Sequence, residues 1–309
     1  MTPARIPLVA SALVLLVGVF WGLYWLPVRE IEARGLAGAW GTVAITLATA
    51  VVMAPVALRR RRDLRAAHPL ALASIALGGA AFALYSIGFV YGRVALVTLL
   101  WFLSPVWAVL VTRFFLGWPT PWLRLVAVAV GVAGLVLMLG AGGRMPLPKD
   151  LGEWMSLVGG ILWAFSITGT RVKSTLSAAP STFVFALGAA ALSLVLAPLL
   201  APFPRLPEGS LPSVLALSFA TGAIWWGASI IGLVWATMRL DPARVAILLM
   251  SEVPIGAVTA AWLAGETLHP MEIIGGAMVL AAGLLEVWPA TGATRPTGSA
   301  RRPPEASGR

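Results

Sequence analysis

Of the 309 residues, 59% are hydrophobic and 11% charged, with a mean hydropathy of +0.91; soluble domains sit near ~45–50% apolar and ~25% charged, so a water-soluble domain is excluded and an integral membrane protein is expected. The apolar segments are continuous rather than alternating, which excludes a membrane β-barrel and leaves an all-α bundle. The chain has no cysteine, ruling out disulfides and thiolate metal sites, and its net charge of +10 gathers in short loops and tails, where it reports topology rather than a nucleic-acid partner.

Ten spans are predicted, since ~20 apolar residues cross a bilayer. The first covers about 7–28; no small-residue cleavage site follows it, so it is taken as an uncleaved helix rather than a signal peptide. A polar turn at 29–35 leads to the second span at 38–58, closed by the basic run 59–68. The third (69–91) and fourth (95–115) are joined by a tight connection, and Trp118, Pro119 and Pro121 precede the fifth (121–141). A Gly/Pro/charged segment at 140–150 divides the chain in two. The sixth to tenth follow at 153–171, 181–201, 212–236, 244–264 and 270–288. The tail at 289–309 is rich in Pro, Gly, Ser and Arg and is expected to be disordered and cytoplasmic. The units are therefore 1–141, a connecting segment 142–152, 153–288, and the tail.

With the N-terminus inside, sixteen of the twenty-two Lys and Arg residues fall in inner segments, which predicts cytoplasmic N- and C-termini in the inner membrane. The halves also repeat. Trp21-Gly22 matches Trp163-Ala164, and Pro105, Pro121 and Gly134 match Pro254, Pro270 and Gly283, each at an offset of 149. Five spans per half is odd, so the second copy enters from the opposite face. Inverted repeats of this kind typify secondary transporters, with the site near the midplane.

These features, with Gly265-Glu266 just after the ninth span, resemble the EamA-type transporters of the drug/metabolite transporter superfamily over about residues 7–288. The resemblance implies ten helices in two inverted five-helix repeats, both termini inside, moving small metabolites, mostly outward. One departure stands out: the first half reads Gly117-Trp118 where a Gly-Glu is expected.

Glu252, near the middle of an apolar run with Pro254 beside it, is the strongest candidate for chemistry. An ionisable residue at that depth costs at least ~2.5–3.5 kcal/mol and is expected to face a cavity or a partner. Pro254 is expected to free a carbonyl near Met250. Three roles are open for Glu252: a proton carrier, a partner for a substrate ammonium, or a protonated structural carboxyl. Glu266, Glu272 and Glu286 fall near span ends, where water or head groups would solvate them.

Trp21, Trp101, Trp163 and Trp225 lie inside their spans and are candidates to line a pathway, offering ring faces and N–H donors. Tyr24 and Trp25 fit an interfacial belt, as do Trp118, Trp122 and Trp288. Tyr85, Ser104, Ser166, Ser229 and Ser251 complete the candidate substrate site, although membrane hydroxyls usually bond their own helix. Pro105 and Pro254 are candidate hinges. Gly18 to Gly22 form a GxxxG, and the pairs Gly78-Gly79, Gly159-Gly160 and Gly275-Gly276 mark close helix contacts.

No metal-binding, Walker or catalytic motif is present, so no cofactor and no enzyme activity is expected. The expected partners are a small-molecule substrate, the lipid bilayer and, through Glu252, protons. The reading is a secondary transporter of an amino-acid-like metabolite. Its alternatives are an exporter of hydrophobic cations and a non-transporting membrane bundle.

Overall fold

The computed structural model describes residues 6–287 apart from Arg144, Met238 and Asp241; Trp288 and the expected disordered tail lie outside the described residues. In chain order the helices are α1 (Ile6–Gly22), α2 (Trp25–Ala33), α3 (Trp40–Arg59), α4 (Arg61–Ala66), α5 (Pro69–Tyr91), α6 (Val94–Trp101), α7 (Ser104–Leu116), α8 (Trp122–Leu139), α9 (Leu151–Lys173), α10 (Ala178–Leu200), α11 (Leu211–Thr221), a π-helical segment (Gly222–Ala228), α12 (Ser229–Thr237), α13 (Pro242–Leu249), α14 (Glu252–Leu263) and α15 (Pro270–Val287). The protein is an all-α membrane protein. Eight of its helical stretches are long and apolar enough to cross a bilayer, and two further apolar helices, Ile247–Leu263 and Pro270–Leu285, are shorter.

Three of the predicted spans are broken, and proline explains each break. A proline ring collides with the carbonyl four residues earlier and offers no N–H to it. Pro27, Pro105 and Pro254 put that carbonyl at Leu23, Trp101 and Met250. The chain leaves the helix at those places, between α1 and α2, α6 and α7, and α13 and α14. The expected free carbonyl at Met250 is nevertheless occupied: it accepts from Val253 N at 3.2 Å. The π segment contains no proline. There Ser229 Oγ donates to the Ile224 carbonyl five residues back at 3.0 Å.

The expected polar turn at 29–35 is helical as far as Ala33. Its Arg29 has local work: Nε donates to the Phe89 carbonyl (2.9 Å) and Nη2 to the Gly92 carbonyl (3.0 Å), tying α2 to the end of α5.

Helices in lipid gain little from water exclusion, so close packing must hold them. The glycines allow it. A Cβ on Gly22 would lie 2.6 Å from the Glu252 carbonyl, so α1 and α14 touch backbone to backbone. Gly134 and Gly275 do the same for α8 and α15, where a Cβ on Gly134 would lie 2.7 Å from the Gly275 carbonyl. Helix α5 lies against α9 and α10, α3 against α10, and α1 against α12.

The connections gather at two ends. At one, Arg60 of the basic run donates to Ser177 Oγ (3.2 Å) ahead of α10. At the other, Arg29, Arg93, Glu266 and Glu272 form a cluster.

Candidate functional site

Among the described residues the bundle holds a cavity of about 810 Å³. Its floor is aromatic, made by Trp21, Tyr24, Phe82, Trp163, Phe185, Trp225 and Trp226. Its mouth is lined by Thr170, Arg171, Leu176, Ser177, Ser181 and Thr182, with Leu233 and Leu249. The mouth therefore lies at the Arg60–Ser177 end. Arg171 is the only charged residue among its described lining residues.

Phe82 is the centre of the floor. Its ring packs against Trp226 (centroids 4.8 Å, 88°), Trp101 (5.8 Å, 89°), Tyr85 (5.5 Å) and Trp21 (5.8 Å). Edge-to-face geometries of this kind suit the ring quadrupole. The π segment brings Trp225 and Trp226 to the cavity from adjacent positions. Trp225 Nε1 donates to the Phe20 carbonyl, which locks that ring against α1.

Of the sequence candidates, Trp21, Trp163, Ser166 and Trp225 line the cavity. Tyr85, Trp101 and Glu252 sit one aromatic layer behind it. Tyr85 stacks on Trp101 at 4.7 Å and 21°, and its O–H donates to Glu252 Oε1 at 3.1 Å. Glu252 is 4% exposed and absent from the cavity lining. An acid at this depth needs a donor, and Tyr85 supplies it. Ser229 is spent on its own helix. Ser104 is buried at the start of α7. Ser251, in the α13–α14 break, has a buried Oγ with no partner among the described residues.

Two other expectations change. Tyr24 and Trp25 are not belt residues: both are buried, with Tyr24 Oη 3.0 Å from Ser86 Oγ and Trp25 Nε1 donating to Thr259 Oγ1 at 3.1 Å. Trp118 and Trp122 are exposed, as a belt requires. Glu266 and Glu272 are held by protein rather than by solvent. Arg93 grips Glu272 with two bonds (2.7 and 3.0 Å), and Arg93 Nη2 also donates to the Thr267 carbonyl (2.6 Å). That grip pushes the Arg93 guanidinium further up from its ordinary range. Glu266 accepts from the first two amides of α6, Val94 N (2.7 Å) and Ala95 N (3.1 Å), with Arg29 Nη2 at 3.5 Å. A carboxylate at a helix N-terminus meets orphan donors and the positive end of the dipole. This cluster closes the end opposite the mouth.

Sequence reasoning missed Phe82, Phe185 and Arg171. Phe82, Tyr85 and Phe89 recur on one face of α5, a periodicity that a count restricted to Trp and Tyr overlooks. Arg171 reads in the sequence only as one of the inner-segment basic residues that set topology.

Residues 8–140 match the EamA-like transporter family. The probable terminal-alkyne amino-acid exporter of Streptantibioticus cattleyicolor is 29% identical over 293 residues, covering 89% of this chain and 91% of that protein. A protein of known crystal structure aligns with a TM-score of 0.57 at 18% identity, over 89% of this chain and 95% of its own; at that identity the likeness speaks for the fold alone. The family match over residues 8–140 and the exporter-named relative point to a membrane transporter and not to an enzyme.

Proposed function

We propose that the protein exports a small amphipathic, amino-acid-like metabolite across the cytoplasmic membrane. It works by alternating access between two inverted five-helix halves, and the structure is its cytoplasm-open state. The observation that carries this is the cavity's asymmetry: open at the end bearing the arginine-rich connections, sealed at the other by two carboxylate–guanidinium contacts. Positive charge favours the cytoplasmic side, so the mouth faces inward. The relative named as an amino-acid exporter supports the cargo class.

The helix contacts support the repeat. Exchange the halves, so that α1–α2 takes the place of α9, α3 of α10, α5 of α11–α12, α6–α7 of α13–α14 and α8 of α15. The contact of α5 with α9 then becomes that of α1 with α12, and the contact of α6 and α7 with α9 becomes that of α1 with α13 and α14. Contacts α3–α10 and α8–α15 map onto themselves. Both fourth spans break at matching places, beside Pro105 and Pro254, which suits them as hinges. Protons are the candidate coupling ion, through Glu252. Hydrophobic cations are the weaker reading, since no carboxylate lines the described cavity.

The test is efflux from proteoliposomes loaded with a labelled amino-acid panel, with and without a pH gradient. Saturable efflux of an apolar amino acid is expected. No movement of any panel member would overturn the reading.

A further inference from the structure

Each half carries an arginine eight residues beyond its first-span tryptophan: Trp21 leads to Arg29, and Trp163 to Arg171. The two lie at opposite ends of the bundle. Arg29 is at the sealed end, where Nε donates to the Phe89 carbonyl at 2.9 Å and Nη2 to the Gly92 carbonyl at 3.0 Å. The last carbonyls of a helix have no partner within it, and a cation beside them also meets the negative end of the dipole. Val28 and Ile87, close to these residues in the chain, are fully buried. Arg171 is exposed at the open end, where it lines the cavity mouth together with Leu233 of α12 and Leu249 of α13. Exchanging the halves sends α5 to α11–α12. Phe89 is the third residue from the end of α5, and Trp235 the third from the end of α12. The Trp235 carbonyl accepts from a local donor, Arg239 Nη1, at 2.7 Å, and the Arg239 guanidinium folds back over the Trp235 ring at 4.1 Å.

We propose that Arg171 is the inner counterpart of Arg29: when the mouth closes, its guanidinium moves onto the carbonyls that end α12, that of Trp235 first, and holds the cytoplasmic end shut as Arg29 holds the other. The inference rests on the inverted-repeat reading above. Arg239 keeps the Trp235 carbonyl satisfied while the mouth is open and gives way to Arg171 on closure. The two latches are unequal. At the sealed end Glu266 stands 3.5 Å from Arg29. The first half reads Gly117-Trp118 where the second reads Gly265-Glu266, so the inner latch lacks the matching carboxylate. The missing acid weakens closure at the inner end and favours the cytoplasm-open state.

The experiment is disulfide cross-linking across the mouth. Thr170→Cys and Leu233→Cys, both at lining positions, are introduced together into the full-length chain, which has no cysteine of its own, and oxidised in membrane vesicles. The rate of cross-linking reads the population of the closed mouth. Arg171→Gln is expected to lower that rate about tenfold, the low end for losing a hydrogen bond to a charged group. Arg29→Gln is expected to raise it, because it loosens the opposite end. General damage to the bundle would move both variants the same way. The inference is overturned if Arg171→Gln leaves the rate unchanged or raises it, if the two variants shift it in the same direction, or if no background cross-links. Should Arg171→Gln fail to fold, Arg171→Lys decides. It keeps the charge without the two-pronged reach of a guanidinium; a several-fold loss is expected, and an unchanged rate overturns the inference. Cross-linking that depends on Arg171 in a protein that moves none of the labelled panel would remove the export reading and leave the latch standing.

Discussion

Single side chains set the price of disturbing this bundle. Glu272 is 4% exposed at its side chain and Arg93 33%, so the acid is the partner that suffers if the pair is broken. Arg93→Gln strands a buried carboxylate. It is expected to cost about 2–3 kcal/mol, below the ~3–5 kcal/mol of a fully buried pair because Arg93 is partly solvated. Adding Glu272→Gln to it is expected to recover most of the loss, since the stranded charge is then gone; a double-mutant cycle of thermal stability reads the coupling. Glu252 poses the opposite case. Tyr85 is a donor, and an amide oxygen accepts as a carboxyl oxygen does, so Glu252→Gln is expected to fold normally. If Glu252 carries the coupling proton, efflux by this variant no longer responds to an imposed pH gradient while the parent's does. An unchanged response would assign the acid a purely structural part.

Among the elements, the interrupted helices matter most. Pro254→Ala restores the missing N–H and removes the ring, so α13 and α14 are free to join. Thermal stability is expected to hold or rise slightly while efflux slows several-fold, because a continuous helix resists the bending that alternating access demands. Equal efflux would make the break a static kink. The N-terminus of α6 offers a second test. Glu266→Gln keeps one hydrogen-bond acceptor and removes the charge at the helix dipole and beside Arg29. A loss of about 1 kcal/mol in thermal stability is expected.

These elements also mark how far the sequence could be read. Apolar length marks the helical stretches because that signal is local; Pro105 and Pro254 are expected as hinges inside unbroken spans 95–115 and 244–264, whereas the helices break beside both. Pro27 carries an equally local signal, yet apolar length alone reads 7–28 as one helix. Glu266 was recognisable as a motif but its task was not, since its partners Val94 and Ala95 lie more than 170 residues away in the chain. Glu252 was rightly singled out as needing a partner. That the partner is Tyr85, and that Phe82 stands between the acid and the cavity, follows only from how α5, α6 and α14 meet.

At the scale of the whole molecule, orientation and state are tied together: the cavity faces the cytoplasm only if the arginine-rich connections do. The absence of native cysteine makes this testable on a clean background. Ser181 lines the mouth of the cavity, whereas Thr267 lies in the closed end beside Arg93. In right-side-out cells, a membrane-impermeant maleimide is expected to spare Ser181→Cys and to label it in inside-out vesicles. Thr267→Cys, exposed at that end, is expected to label from the outside only. A transported substrate in excess should then slow labelling at Ser181→Cys, by occupying the cavity, and leave labelling at the exposed Thr267→Cys unchanged. Reversed sidedness would turn the molecule over in the membrane and with it the proposed direction of access. Correct sidedness with no effect of substrate at Ser181→Cys would leave the orientation in place and remove the cavity as the substrate site.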